Sequence, residues 1–361
     1  MNTEKSRIVH FRKKKTERST CDFKLGNSVL DYTDRYSYLG LVLHEHVNYE
    51  ETLNVLSCAA GRSLGSLCSK FKFMKNMGFS TFTSLYEKCV SPILDYSSEI
   101  WGFKRYVKAE QVEQRAMRFF LGVHRFAPIL GIQGDMGWVP SNIRWKICIL
   151  RYWNRLLKMN QNRLTKQVFL WDYNLENNNW STEVKNVLNT IDMEYIFENM
   201  STCNIVDLKQ KLLEIYKTDW KANLLYKPKL RTYRLFKYTF GTEKYVSLNL
   251  DRNYRSLLAQ FRLGILPLRL ETGRIKNEKV HERICLICSD NLVEDENHFL
   301  FQCKAYSSER RNLFAKISNS NRDFENLNID EKLVYLFQNR PYILAKFVNQ
   351  CLSKRREFLY K

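Results

Sequence analysis

Residues 53–74 read LNVLSCAAGRSLGSLCSKFKFM, and their spacing decides what kind of chain this is. Leu53, Leu56, Ala60, Leu64, Leu67, Phe71 and Met74 recur every three or four residues, the period of one face of an α-helix. The same period returns downstream. Ser80 is placed to cap a second helix carrying Phe82, Leu85, Cys89, Ile93 and Leu94, with a kink at Pro92. Val107–Val123 makes a third, Asn142–Met159 a fourth, and Met193–Trp220 reads as mostly helical, while Leu175–Trp180 (LENNNW) reads as a loop. Upstream the pattern is different. Ser6–Phe11 and the stretch 21–43 read as strands, and Gly26-Asn27 between apolar runs predicts a hairpin. The expected fold is therefore mainly α with a small N-terminal β-hairpin. It divides into 1–50 (strands and hairpin), 51–170 (helical), 171–250 (helical connector, with a soft boundary somewhere inside it) and 251–361 (C-terminal helical).

The chain has 361 residues, 44% of them hydrophobic and 14% aromatic, enough for more than one proper core rather than a disordered chain. No run approaches the roughly 20 apolar residues of a membrane span. The start, MNTEKSRIVHFRKKK, holds no apolar stretch of signal-peptide length, so an intracellular, reducing compartment is expected, nuclear or cytoplasmic. Ten cysteines are too sparse for a disulfide scaffold, and Cys21, Cys58, Cys68, Cys89, Cys148, Cys203 and Cys351 read as ordinary core residues. The formal net charge of +20 speaks to partners rather than fold, and nucleic acid, RNA or DNA, is the default polyanion.

Three cysteines are clustered. CLICSDNLVEDENHFLFQC, Cys285–Cys303, contains C-x2-C, nine residues, then H-x4-C. Zinc takes four soft or borderline ligands in a tetrahedron, and a C-x2-C turn presents two thiolates to one point. His298 and Cys303 return the other two, so Cys285, Cys288, His298 and Cys303 are the expected ligands of one structural zinc ion. Glu294-Asp295-Glu296 inside the loop reads as solubility.

The helix expected at 142–159 interleaves Arg144, Lys146, Arg151, Arg155 and Lys158 with Trp145, Tyr152 and Trp153. Basic residues among aromatics hold phosphates and stack on bases. Arg144, Trp145, Lys146, Arg151 and Arg155 are accordingly candidate nucleic-acid contacts, together with Lys5, Arg12, Lys13, Lys14 and Lys15 near the N-terminus. The alternative is a surface helix whose aromatics are core and whose charges are solvated.

Catalytic groupings do not stand out. Two-metal nucleotidyl transfer needs converging carboxylates, and no aromatic-x-Asp-Asp strand turn supplies them. Asp323, Glu325, Asp330, Glu331 and Lys332 can be forced into a nuclease-like set, but their spacing fits a charged helix start equally well.

Several stretches together resemble the C-terminal half of non-LTR retrotransposon reverse transcriptases. Asn2-Thr3-Glu4-Lys5-Ser6-Arg7-Ile8-Val9 resembles the strand that follows the catalytic Asp-Asp turn in that family, with Ser6 where Thr is usual. Tyr38-Leu39-Gly40 resembles the primer-grip strand. Leu85-Tyr86, Val90 to Tyr96 and Trp101-Gly102 resemble the thumb-like helix, from which Ser97 departs; Gln114-Arg115, Arg118 and Leu121-Gly122-Val123 continue it. Phe261–Leu268, Glu271–Arg274 and the cysteine cluster resemble the zinc-binding module that ends many such polymerases. The resemblance covers roughly 1–160 and 250–315. It implies the end of a palm at 1–50, a thumb-like domain at 51–170 and a zinc module at 285–303. The fingers and catalytic palm would precede Met1. The expected function is thus non-catalytic nucleic-acid binding, with no polymerase activity. A partner-binding or functionless remnant is the alternative, and a metal-dependent nuclease a distant one.

Overall fold

The computed structural model describes residues 5–175, 179–318 and 321–359. The chain is mainly helical, with a small two-hairpin β element near its N-terminus. Asn2-Thr3-Glu4 and the middle of the loop expected at 175–180 (176–178) lie outside the described residues. No helix among them is long and apolar enough to cross a membrane.

The hairpin expected at Gly26-Asn27 forms, pairing Lys24–Leu25 with Ser28–Val29. A second hairpin pairs Arg35–Tyr38 with Leu41–His44. Leu39 and Gly40, expected within a strand, make its turn instead, with φ of 47° and 82°. Two consecutive positive φ values match the right-handed twist of the flanking strands. Gly40 takes this without strain; Leu39 does not, and Tyr96 Oη donates to the Leu39 carbonyl at 2.6 Å. The expected strand Ser6–Phe11 reduces to one bridge, Ile8 with Tyr32.

The periodic stretch folds as a helix, Glu50–Phe73. Leu53, Leu56, Ala60, Leu64, Leu67 and Phe71 are buried, while Met74 falls past its end and is exposed. Glu50 and Glu51 open the helix and Lys70 and Lys72 close it, each matching the sign of the nearer dipole end. The second helix breaks rather than kinks, giving Phe79–Cys89 and Ser91–Leu94. Pro92 sits in the first turn of the short helix, where its missing N–H costs nothing. Ser80 is inside the first helix, not its cap. Of the cysteines expected in the core, Cys203 and Cys351 are buried, Cys68 and Cys148 half-buried, and Cys21, Cys58 and Cys89 exposed.

The chain packs as two compact units, Met1–Leu67 with Leu85–Glu113 and Pro140–Leu212, and Cys68–Ser84 with Gln114–Val139 and Leu213–Lys361. These cuts follow packing and differ from the contiguous segments above. In the first unit Trp101 meets Trp145 edge-on with ring centroids 4.9 Å apart, and Trp153 stacks on Phe197 at 5.5 Å. Thr52 Oγ1 fastens the second hairpin to the long helix, accepting from Val42 N at 2.9 Å and donating to Val42 O at 3.0 Å.

The second unit is organised around the helix Arg252–Arg262, which carries two buried arginines on its inner face. Arg262 makes two parallel bonds to Asp135, Nε at 2.9 Å and Nη2 at 2.8 Å, and reaches Glu243 at 3.2 Å. Burial alone would lower its pKa; Asp135 and Glu243 more than reverse this, and the guanidinium stays charged. Arg255 has no carboxylate partner among the described residues. Its Nε donates to Phe120 O at 3.0 Å and the guanidinium lies 4.1 Å from the Phe120 ring centroid, while burial pushes its pKa down to about 10.

Arg262→Met would leave the buried Asp135 without its cation, while Glu243 keeps its pair with Lys237 at 2.6 Å. The expected cost is roughly 3–5 kcal/mol, the range for breaking a buried pair. It should appear as a lowered urea midpoint, largely recovered when Asp135→Asn accompanies it. A single mutant with the parent midpoint would contradict this packing scheme.

Candidate metal centre

Cys285, Cys288, His298 and Cys303 converge, with one ligand atom from each and all four atoms within 4.8 Å of one another. The local backbone explains why. Ile284 and Val293 form an antiparallel bridge, Cys285 N donates to Leu292 O at 2.9 Å, and Asn291 turns the chain between them at a φ of 52°. The bridged loop folds back so that Cys285 and Cys288 face the same point. The second pair uses a different device. His298–Gln302 is a single π-helical turn, and Cys303 N donates to His298 O at 2.8 Å across the five-residue step that H-x4-C requires. Asp295 caps this turn, its Oδ1 accepting from His298 N at 2.8 Å.

The spacings suit a tetrahedral ion. Metal–sulfur bonds of about 2.3 Å and metal–nitrogen bonds of about 2.0–2.1 Å imply edges of roughly 3.8 Å between sulfurs and roughly 3.5 Å between sulfur and nitrogen. Cys285 Sγ and Cys303 Sγ are 4.0 Å apart, and Cys288 Sγ and His298 Nε2 are 3.4 Å apart. The cluster can hold a metal ion. The contact with the Cys303 sulfur draws the Cys285 thiol well below its ordinary pKa, and His298 adds to this against the cost of burial. The same contact raises Cys303, and burial raises Cys288. A cation at the centre would let all three ionise.

A ring of arginines fixes the loop from outside. Glu294 is 1% exposed and takes both Arg355 nitrogens, Nε at 2.9 Å and Nη2 at 2.7 Å, while also accepting from Arg269 N at 2.7 Å. Glu296 is buried as well and bonds Arg231 at 2.5 Å. Arg310 donates to Leu300 O and Cys303 O at 2.9 and 2.7 Å. This corrects the reading of Glu294-Asp295-Glu296 as solubility: two of the three acids are buried anchors and the third is a cap. Nothing local signals the pairing, because Arg355 lies 61 residues from Glu294 and Arg231 lies 65 from Glu296. His298 Nδ1 has no hydrogen-bond partner among the described residues.

The basic helix, Ser141–Leu157, departs from the expectation for two of its residues. Trp145 is 0% exposed and donates from Nε1 to Asp95 Oδ1 at 2.7 Å, so no base can stack on it. Arg144 pairs with Asp95 at 3.1 Å and with buried Glu113 at 2.8 Å. Burial would lower its pKa, and the two carboxylates instead hold it above its ordinary value. Both are structural. Trp153 is core too, donating to Ser201 O at 3.1 Å. Lys146 is half-buried, and burial lowers its pKa. Arg151 and Arg155 are exposed, as are Lys5, Lys13, Lys14 and Lys15, while Arg12 is paired with Glu45 at 3.0 Å. Of the forced nuclease set, Asp330 and Glu331 lie in the first turn of the helix Ile329–Asn339, where Asn328 and Glu331 form a capping box. That is a charged helix start.

No protein-family model, curated protein or solved structure matches the chain.

Metal analysis of protein purified without chelators should return about one ion per chain, as one closed four-ligand site requires. Cys288→Ser should open residues 280–305 to protease while 50–125 stay resistant, and a metal content near zero in the parent would refute the site. Separately, Arg144→Gln should destabilise the first unit by on the order of 3 kcal/mol, the low end for a buried pair because Arg144 is partly exposed. Arg151→Gln and Arg155→Gln should leave the melting temperature unchanged.

Proposed function

We propose that this chain is a non-catalytic nucleic-acid-binding protein of non-LTR reverse-transcriptase ancestry, with its C-terminal unit held closed by one structural zinc ion. The observation that carries the binding reading is the +20 charge, much of it on exposed side chains such as Lys13, Lys14, Lys15, Arg151 and Arg155. A polyanion releases counterions when such residues replace them. Zinc is the ion that three thiolates and an imidazole suit best, and four protein ligands leave no open position for chemistry. The ancestry rests on the ordered motifs from Lys5 to Cys303.

A second reading, partner binding without nucleic acid, draws on Trp145 and Arg144. Of the two candidates that most resembled a base-and-phosphate reader, Trp145 is internal and Arg144 is already paired with Asp95 and Glu113.

Titration of labelled single-stranded RNA and DNA decides between them. The expected outcome is binding at ~50 mM salt that weakens steeply as salt rises, with a linear log–log slope. Primer extension on an RNA template, with magnesium or manganese, should give no product from the same preparation. Undetectable binding at low salt would favour partner binding. Extension surviving repurification would overturn the non-catalytic reading and turn attention to Asp31 and Asp34.

A further inference from the structure

Within the second unit, the loop 122–128 joins two helices, Val107–Leu121 and Ile129–Met136. It is anchored at both ends. Gly122 has a φ of 69°, a Cβ there would crowd Ser256, and Ser256 Oγ donates to Gly122 O at 2.6 Å. At the other end Ala127 is buried, and Ala127 N donates to His124 O at 3.1 Å. Between these anchors the chain projects His124, Arg125 and Phe126. Phe126 is 65% exposed, and the Arg125 guanidinium lies 4.7 Å from its centroid.

Facing this loop is the segment that follows the helix Ile205–Leu224, where Tyr226 is 80% exposed beside Lys227. A cavity of about 240 Å³ lies between them, with Phe126, Pro128, Ile129 and Leu130 on one side and Lys227 and Pro228 on the other. Its volume is below the roughly 300–1,000 Å³ of pockets for drug-sized ligands, the scale of one flat ring system.

The rim is cationic. Arg125 and Lys227 have no carboxylate partner among the described residues. Glu271, the carboxylate nearby, is neutralised twice, by Lys229 at 2.6 Å and Arg274 at 2.8 Å. Arg118 bonds only the Gln114 amide oxygen, at 3.1 Å, and its buried Nε has no partner among the described residues. Burial first, then the charges of Lys229, Arg118 and Arg274, hold His124 below its ordinary pKa against the opposite pull of Glu271.

We propose that this cleft is a landing site for single-stranded nucleic acid, with one base seated against Phe126 over the Pro128–Leu130 floor and the flanking phosphates on Arg125 and Lys227. The proposal rests on the nucleic-acid reading above and assigns it a place. A duplex keeps its bases stacked inside and cannot fill the cleft, whereas an unstacked base brings a π-face that an exposed aromatic accepts whatever the sequence.

The test uses the full chain with three probes of equal length: a single strand, the same strand made abasic, and a duplex. Phe126→Ala should weaken the single strand about tenfold, the scale of one lost stacking contact, and leave the abasic strand and the duplex unchanged. Arg125→Gln with Lys227→Gln should lower the salt slope for the single strand by roughly 0.7 per lost phosphate contact. Metal content and melting temperature report that these exposed exchanges leave the fold intact. A parent that binds the single strand equally well with and without Phe126 would overturn the site while leaving the nucleic-acid reading standing. Equal loss on the abasic strand would also overturn it, because charge without bases would then explain the cleft. A parent that binds none of the probes would overturn the reading beneath it.

Discussion

Arg262 is fully buried and charged, and the second unit is arranged so that it can be. A guanidinium in an apolar interior is tolerated only when its charge and its donors are met together. Asp135 meets two donors, Glu243 supplies a second negative charge, and the ring of Phe236 lies 4.3 Å from the guanidinium carbon. Tyr245 completes the set, donating to Asp135 at 2.7 Å. Asp135 and Arg262 are 127 residues apart, so one pair ties early helices to late ones. The same helix shows the other solution at Arg255, where a carbonyl and aromatic faces replace the carboxylates.

The metal cluster depends on the same matching of charge at a smaller scale. Its four ligands come from two short devices, a bridged loop and a π turn, neither long enough to be stable alone. The ion would hold the two together from within. The guanidinium groups of Arg355, Arg231 and Arg310 hold them from without, through Glu294, Glu296 and two carbonyls, and the backbone N–H of Arg269 adds a bond to Glu294. A loop whose residues look acidic and soluble is in effect a plug seated in basic sockets.

What could be read from the sequence was local. The helix Glu50–Phe73 declares itself through its period, the first hairpin through Gly26-Asn27, and the cluster that can hold a metal through C-x2-C and H-x4-C, spacings that are themselves the geometry. What could not be read was whatever depends on distant partners. Trp145, Ile149 and Trp153 fall four residues apart and share one inward face, yet interleaved aromatics and cations look alike whether the aromatics point in or out. In sequence Arg144 reads as a phosphate contact because Asp95 and Glu113, which neutralise it, are 49 and 31 residues away. The Val90 break was hidden because Pro92 is compatible with both a kink and a fresh helix start.

The interleaving of the two units bears on how the chain is made. Phe71, Phe82, Phe120, Ile132 and Met136 belong to the second unit and are buried there, but the helix Arg252–Arg262 follows them by more than a hundred residues. At about 5–20 residues per second of synthesis, that delay is on the order of several to a few tens of seconds. For that interval the nascent polypeptide carries an uncovered aromatic cluster, a target for chaperones and for aggregation. Nor can either unit be produced on its own by simple truncation, since each is stitched from three separate stretches. A polypeptide cut near residue 212 would complete the first unit and strand the early pieces of the second without their core.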